Sequence, residues 1–199
     1  LAGAINGASI ARKTSFLKDK LGQQLFDTSV QVIDDPLMRR GLRSQTFDAE
    51  GVAVSKQALI ENGVLTSWIL DCATARELGL QTNAHAHRGV SSAPSPGAYN
   101  LYLAAGRVSP KDLIADIKQG FYITDLIGMG TNLVTGDYSR GAAGFWIENG
   151  ELTFPVSEVT IAGHLFVILR TMTPAKDLAF KFVTNAPTLR VEGLTVAGH

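Results

Sequence analysis

The residues of this chain that could do chemistry fall into a few short groups. His85 and His87 stand two apart, so on an extended backbone both imidazoles project from one face, a spacing that zinc or copper accepts. Their segment supplies no carboxylate or thiol, and two nitrogens leave a metal under-coordinated, so the pair is a weak metal candidate and no metal site is expected in the chain. Asp48 and Glu50 alternate before Gly51. Paired carboxylates can share acid/base work, but in a turn they are expected to cap backbone N–H groups or to pair with Arg40 or Arg43. Ser139 beside Arg140 lacks a Gly-x-Ser-x-Gly elbow and assignable His and acid partners, so it reads as a turn serine and no catalytic residue is assigned. Gly128-Met129-Gly130 lacks the lysine of a phosphate-binding loop. Cys72 is the sole cysteine, which rules out an intrachain disulfide and a multi-cysteine zinc site; it is expected to be a small buried residue in a reducing, cytoplasmic protein. His164, in an apolar run, is expected to be a hydrogen-bonded core histidine, and terminal His199 to be disordered.

The elements that must position these residues are mostly strands. Ala4 to Ala11 is small and weakly helical, and Thr14 is placed to cap a short turn ended by Gly22. Val30 to Ile33 alternates as a strand, stopped by Asp34-Asp35-Pro36, and Met38 to Asp48 reads as an arginine-bearing loop. Val54 to Ile60 and Val64 to Leu70 form a hairpin around Asn62-Gly63; Ala142 to Val156 forms another around Asn149-Gly150, within nearly the same heptapeptide. Thr74 to Leu80 is a short helix, Asn83 to Pro96 a loop long enough to be functional or mobile, and Tyr99 to Leu103 a strand. Ser109-Pro110 opens a helix, with Ser as N-cap and Gly120 as its stop. Phe121 to Ile127 is a strand, Ile161 to Arg170 a buried helix, and Phe180 to Val183 and Thr188 to Val191 two closing strands. The sum is an α+β, β-rich domain of antiparallel hairpins with a few short helices.

The 199 residues carry 18 basic and 18 acidic side chains, a formal net charge of zero with no basic block, which argues against a dedicated nucleic-acid binder. No apolar run reaches membrane-spanning length, so neither nucleic acid nor membrane is an expected partner. Aromatic and guanidinium groups are enriched where chains dock, so Tyr138, Arg140 and Trp146 are candidate peptide- or partner-binding residues, together with His87, Arg88 and Asn100. The segments Asn83 to Pro96 and Asn132 to Gly144 are the candidate contact regions. Trp146 as plain strand core is an equal reading.

The run Gly136-Asp137-Tyr138-Ser139-Arg140-Gly141-Ala142-Ala143-Gly144-Phe145-Trp146-Ile147-Glu148-Asn149-Gly150, with Asp34-Asp35-Pro36, Phe47-Asp48-Ala49-Glu50-Gly51-Val52, Glu61-Asn62-Gly63-Val64-Leu65 and Asn185-Ala186-Pro187-Thr188-Leu189, is collinear over nearly the whole chain. In that order it resembles the C-terminal domain of the TldD/TldE family, the latter also called PmbA or modulator of DNA gyrase, and is closest to the TldE side.

The resemblance implies that residues 1–199 are one such domain, with the family's N-terminal domain outside this chain. Catalytic TldD is a zinc metallopeptidase with a His-Glu-x-x-x-His helix at the start of this domain and a cysteine ligand near its end. The corresponding stretch here, Leu1 to Ala8, has neither His nor Glu, and Asp177 to Pro187 has no cysteine. The implied role is therefore a non-catalytic TldE/PmbA-like subunit of a heterodimeric metallopeptidase complex acting on unfolded peptides, with zinc in the TldD-like partner and no cofactor in this chain. Two alternatives remain at this stage: a self-sufficient peptidase or hydrolase with an unrecognised site, or a protein-binding regulator of gyrase. Homodimerisation of the isolated domain is left open.

Overall fold

Two Asn-Gly pairs set the registers of the principal hairpins in the computed structural model, which describes residues 1–198. Strand β1 (Val32–Asp34) is followed by β2 (Gln57–Glu61) and β3 (Val64–Leu65), after a short helix α1 (Gly7–Ala11). Asn62 and Gly63 have φ of 48° and 78°, so the loop between β2 and β3 is a two-residue turn with both residues left-handed. A Cβ at Gly63 would stand 2.5 Å from the Phe26 carbonyl oxygen, so packing as well as φ demands glycine. Helix α2 (Cys72–Glu77) then leads to β4 (Ala86–His87), β5 (Ser95–Pro96), β6 (Leu101–Leu103), α3 (Pro110–Ile114) and β7 (Gln119–Ile127). The long strands β8 (Asp137–Glu148) and β9 (Glu151–His164) turn at Asn149-Gly150, with φ of 49° and 81°. The chain closes with α4 (Leu165–Thr171), β10 (Thr173–Pro174), β11 (Thr184–Asn185), β12 (Leu189–Arg190) and β13 (Thr195–Ala197).

Five strands in the order β11-β6-β1-β2-β3 make the core sheet, antiparallel except where β11 joins β6. Val32 sits opposite Ile60 on one side and Leu103 on the other, and around this sheet Ile5, Leu17, Val30, Leu59, Ile60, Leu65 and Ile69 are fully buried. The second sheet, β13-β9-β8-β7, is antiparallel throughout and bulged, with small inner residues such as Ala142 packed by Val159 and Ile161. The fold is α+β and β-rich, as expected. Among the described residues no helix is long and apolar enough to cross a membrane.

Ser109 caps α3 with Pro110 at the first helical position, but the helix ends at Ile114, well short of Gly120. The turn after Thr14 forms, but its cap is Ser15, whose buried hydroxyl accepts from the Leu17 amide and donates to the Ala4 carbonyl, while the Thr14 hydroxyl donates back to the Ser9 carbonyl. β3 ends at Leu65 because the chain then turns to send Trp68, Ile69 and Leu70 into the core, where Ile69 bridges Asn6. Residues Ile161 to His164 extend β9 rather than forming a helix, since β8 and β13 flank them, and of α4 only Leu169 is buried. Phe180 to Val183 is not a strand: the Asn185 side chain accepts from the Lys181 and Phe182 amides and bends the backbone. β13 was not foreseen. The expectation for His199 lies outside the described residues.

Candidate functional site

The loops expected to carry contacts are held by a buried polar network that begins at Asp34. Strand alternation puts Val32 and Asp34 on the same inward face, and Asp34 is 0 % exposed. Its carboxylate accepts from the Tyr99 amide at 2.8 and 3.1 Å and faces His85 Nε2 at 3.0 Å. The other ring nitrogen, Nδ1, lies 2.9 Å from both the carbonyl and the side-chain oxygen of Asn83. That Asn83 oxygen also accepts from the Leu70 amide while its nitrogen donates to the Trp68 carbonyl, which fixes the amide's orientation. Nδ1 is therefore the donor toward Asn83, and Nε2 is the atom that meets the Asp34 carboxylate. Both nitrogens of His85 are engaged in this buried network, and among the described residues no group of three or more His, Cys, Asp or Glu side chains could hold a metal.

His87 lies two residues on, in the short strand β4, and in different surroundings. Its ring packs against Tyr99 at a tilt, with centroids 4.5 Å apart, and its Nε2 is buried without a hydrogen-bond partner. Burial, reinforced by the positive charge of Arg43, pushes its pKa below the ordinary imidazole value. Tyr99, fully buried with its hydroxyl donating to the Ala84 carbonyl, is pushed by burial up to about 12. The signs differ. The His87 contribution to stability is present above the unfolded value of about 6.5 and is lost as pH falls through the depressed folded value; that of Tyr99 is present below about 10 and lost as pH rises. We expect His87→Phe to flatten the fall in melting temperature between about pH 7 and pH 5 while leaving the alkaline limb in place. An unchanged acid limb in thermal melts would remove His87 from this account.

Asp48 and Glu50 are turn residues, as expected, but they pair with no arginine. Asp48, 3 % exposed, accepts from the Glu50 and Val52 amides, both at 2.9 Å, and from the Ala86 amide at 3.2 Å. Glu50 accepts from the Cys72 amide at 2.8 Å, at the first turn of α2. Cys72 is half-buried rather than buried, because it opens α2 beside this carboxylate. The hydrogen bond to Glu50, aided by burial, raises its thiol pKa, which makes it a poor nucleophile. Asn100 is 2 % exposed and so does not itself meet a partner: its oxygen accepts from the Arg43 amide and its nitrogen donates to the Asp35 carbonyl and Ser44 hydroxyl. Arg88 is exposed. His164 is hydrogen-bonded but only half-buried, its Nδ1 accepting from the Phe166 amide at the start of α4.

Tyr138, Arg140 and Trp146 lie far along the chain on β8 and are half-buried. Tyr138 and Trp146 line a cleft of roughly 1600 Å³ between the second sheet and a ledge built by α3 and β12, with Leu113, Phe121, Ile161 and Leu194 among its apolar walls. Arg140 instead donates to the Leu126 carbonyl at 3.0 Å, and its Nε is buried without a partner. Strand β7, at the rim, is the last of its sheet, so one row of its backbone groups has no strand to pair with. This cleft was not anticipated as a unit; the aromatic enrichment on β8 was its one signal.

Comparison with known proteins accounts for this architecture. The PmbA/TldA metallopeptidase C-terminal domain family matches residues 1–198. The chain belongs to the PmbA/TldD family. It is 39 % identical over 201 residues to a Haemophilus influenzae protein named metalloprotease PmbA homolog, covering all of this chain and 42 % of that protein. Against the metalloprotease TldD homolog of the same organism the identity is 28 % over 168 residues, covering 83 % of this chain and 35 % of the relative. The crystal structure of TldE from Thermococcus kodakarensis superposes with a TM-score of 0.88 at 26 % identity, over all of this chain and 46 % of that one. The chain thus spans less than half the length of these PmbA/TldD-family relatives.

The segment that opens the chain does not fit the metal that the metallopeptidase name of the family implies. In the segment Leu1 to Ala8 the only polar side chain is Asn6, and both of its ends are committed: the oxygen caps α1 at the Ala8 amide and the nitrogen donates to the Pro96 carbonyl at 2.7 Å. Leu1 to Ala8 itself carries no imidazole, carboxylate or thiol side chain to ligate a metal.

Proposed function

We propose that this chain is the C-terminal domain of a TldE-type subunit, which contributes no zinc ligands and works with a TldD-like catalytic subunit on unfolded peptides in the cytoplasm. The observation that carries this reading is α1 with the residues before it, where a catalytic subunit of the family would need its ligand helix and this chain offers only small residues and a fully engaged Asn6. The higher identity to the PmbA homolog than to the TldD homolog of one organism supports the same side of the family. The cleft beside β7 supports a peptide-holding role, since an apolar wall next to an unpaired strand edge binds extended backbone with little sequence choice.

The test compares the full-length protein containing this chain, a TldD-like subunit, and the two mixed, on an unfolded peptide substrate with zinc. Cleavage is expected in the mixture alone and is expected to vanish when the partner's zinc ligands are replaced. Chelator-sensitive cleavage by the full-length protein without its partner would overturn the reading.

A further inference from the structure

The two loops held by Asn100 and Asp48 share a composition that neither the fold nor the proposed role uses. Residues 36–47 contain Arg39, Arg40 and Arg43, and residues 87–96 contain Arg88; neither segment has a single acidic residue or lysine, on a chain whose formal net charge is zero. The loops are neighbours, because the Arg43 guanidinium reaches the Ala98 carbonyl at 3.4 Å and its charge acts on His87. All four arginines are exposed, and none takes part in an ion pair among the described residues, whose carboxylate bridges go to Lys56, His85 and Arg190. Apolar side chains are set among them, with Leu42 69 %, Phe47 63 % and Val90 fully exposed.

The first loop is a built platform rather than a loose strap. The Gln45 amide donates to the Pro36 carbonyl and closes it, the Ser44 hydroxyl donates to the Met38 carbonyl, and Asn100 bonds it from beneath. A Cβ on Gly41 would stand 2.7 Å from the Asn100 side-chain nitrogen, so the close approach requires glycine. Arg40 sits at φ 60°, a left-handed conformation that disfavours a side chain by about 1 kcal/mol, yet the position carries an arginine.

We infer that this arginine face docks an acidic, apolar-interspersed segment of another protein chain. Planar guanidinium groups take carboxylates bidentately, and the exposed leucine, phenylalanine and valine supply contact area that a bare polyanion would leave in water. That mixture favours a protein over a nucleic acid, for which a run of basic residues without apolar neighbours would serve better. Face-to-face pairing with a second copy is opposed by like charge. The inference does not depend on the peptidase assignment, because its readout is binding.

The test measures binding of fluorescently labelled short peptides to the full chain at low and physiological salt: one alternating glutamate with leucine, one alternating lysine with leucine, and oligothymidylate as the nucleic-acid probe. The glutamate peptide is expected to bind, to weaken with salt, and to lose about tenfold in affinity in the double variant Arg39→Glu/Arg40→Glu, whose exposed positions leave the melting curve unchanged. Equal binding of the lysine peptide, tighter binding of oligothymidylate, or indifference to the charge reversal would each overturn the inference.

Discussion

Replacing Asp34 with alanine is expected to cost about 2–5 kcal/mol of folding stability, from about one to three kcal/mol for each of the two buried groups it would leave without a partner. The loss has a definite anatomy. His85, 1 % exposed, would keep a buried Nε2 with nothing to meet it, and the Tyr99 amide would lose its acceptor, so the 83–99 loop and the core sheet would part company at one point. Asp34→Asn separates charge from hydrogen bonding, since its oxygen can still accept from Tyr99 and its amide can still donate to the ring; a smaller loss of about 1–2 kcal/mol is expected. Urea unfolding of the three proteins measures this as a shift in midpoint at constant slope. A drop for alanine no larger than for asparagine would mean that the pair is not a stabilising unit.

The second large effect is expected at Asp48. Alanine there orphans the Glu50, Val52 and Ala86 amides together, and one to three kcal/mol for each buried donor left unsatisfied gives about 2–4 kcal/mol once partial solvent access to the turn is allowed for. Its signature is local as well as global. Amide exchange at Ala86 should accelerate more than exchange at Ile60, which belongs to the core sheet, because the 83–99 hairpin loses the residue that ties it to the 46–52 turn. Uniform acceleration across both positions would instead indicate general unfolding and would count against the role assigned to Asp48.

These two carboxylates show where sequence reasoning reached and where it stopped. Asp48 was legible because capping is local: an acid before Gly51 has its own backbone amides within reach. Asp34 reads locally as part of a strand stop, although alternation from Val32 places it on the buried face, where a carboxylate must find partners. Those partners, His85 and Tyr99, come from far along the chain, and no local pattern names them. The same division holds for the fold. Asn-Gly turns and the Ser109-Pro110 helix start were readable because their chemistry is contained within a few residues. The ends of β3, β9 and β11 were not, since tertiary neighbours decide where those strands stop. His85 and His87 were paired by spacing and separated by environment: one is engaged at both ring nitrogens, the other lies against Tyr99.

The parallel pairing of β11 with β6 also governs the order of events in folding. Thr184 must meet Leu101 before the core sheet has its outer strand, whereas the hairpins at Asn62-Gly63 and Asn149-Gly150 close within a few residues of their turns. Loop closure over that distance is slow compared with hairpin formation. During synthesis, then, β6 emerges and pairs with β1 while its far edge stays bare until β11 has also left the ribosome. For that interval the domain exposes an open strand edge at its own core, and β11, only two residues long, is what removes it from competition with other chains.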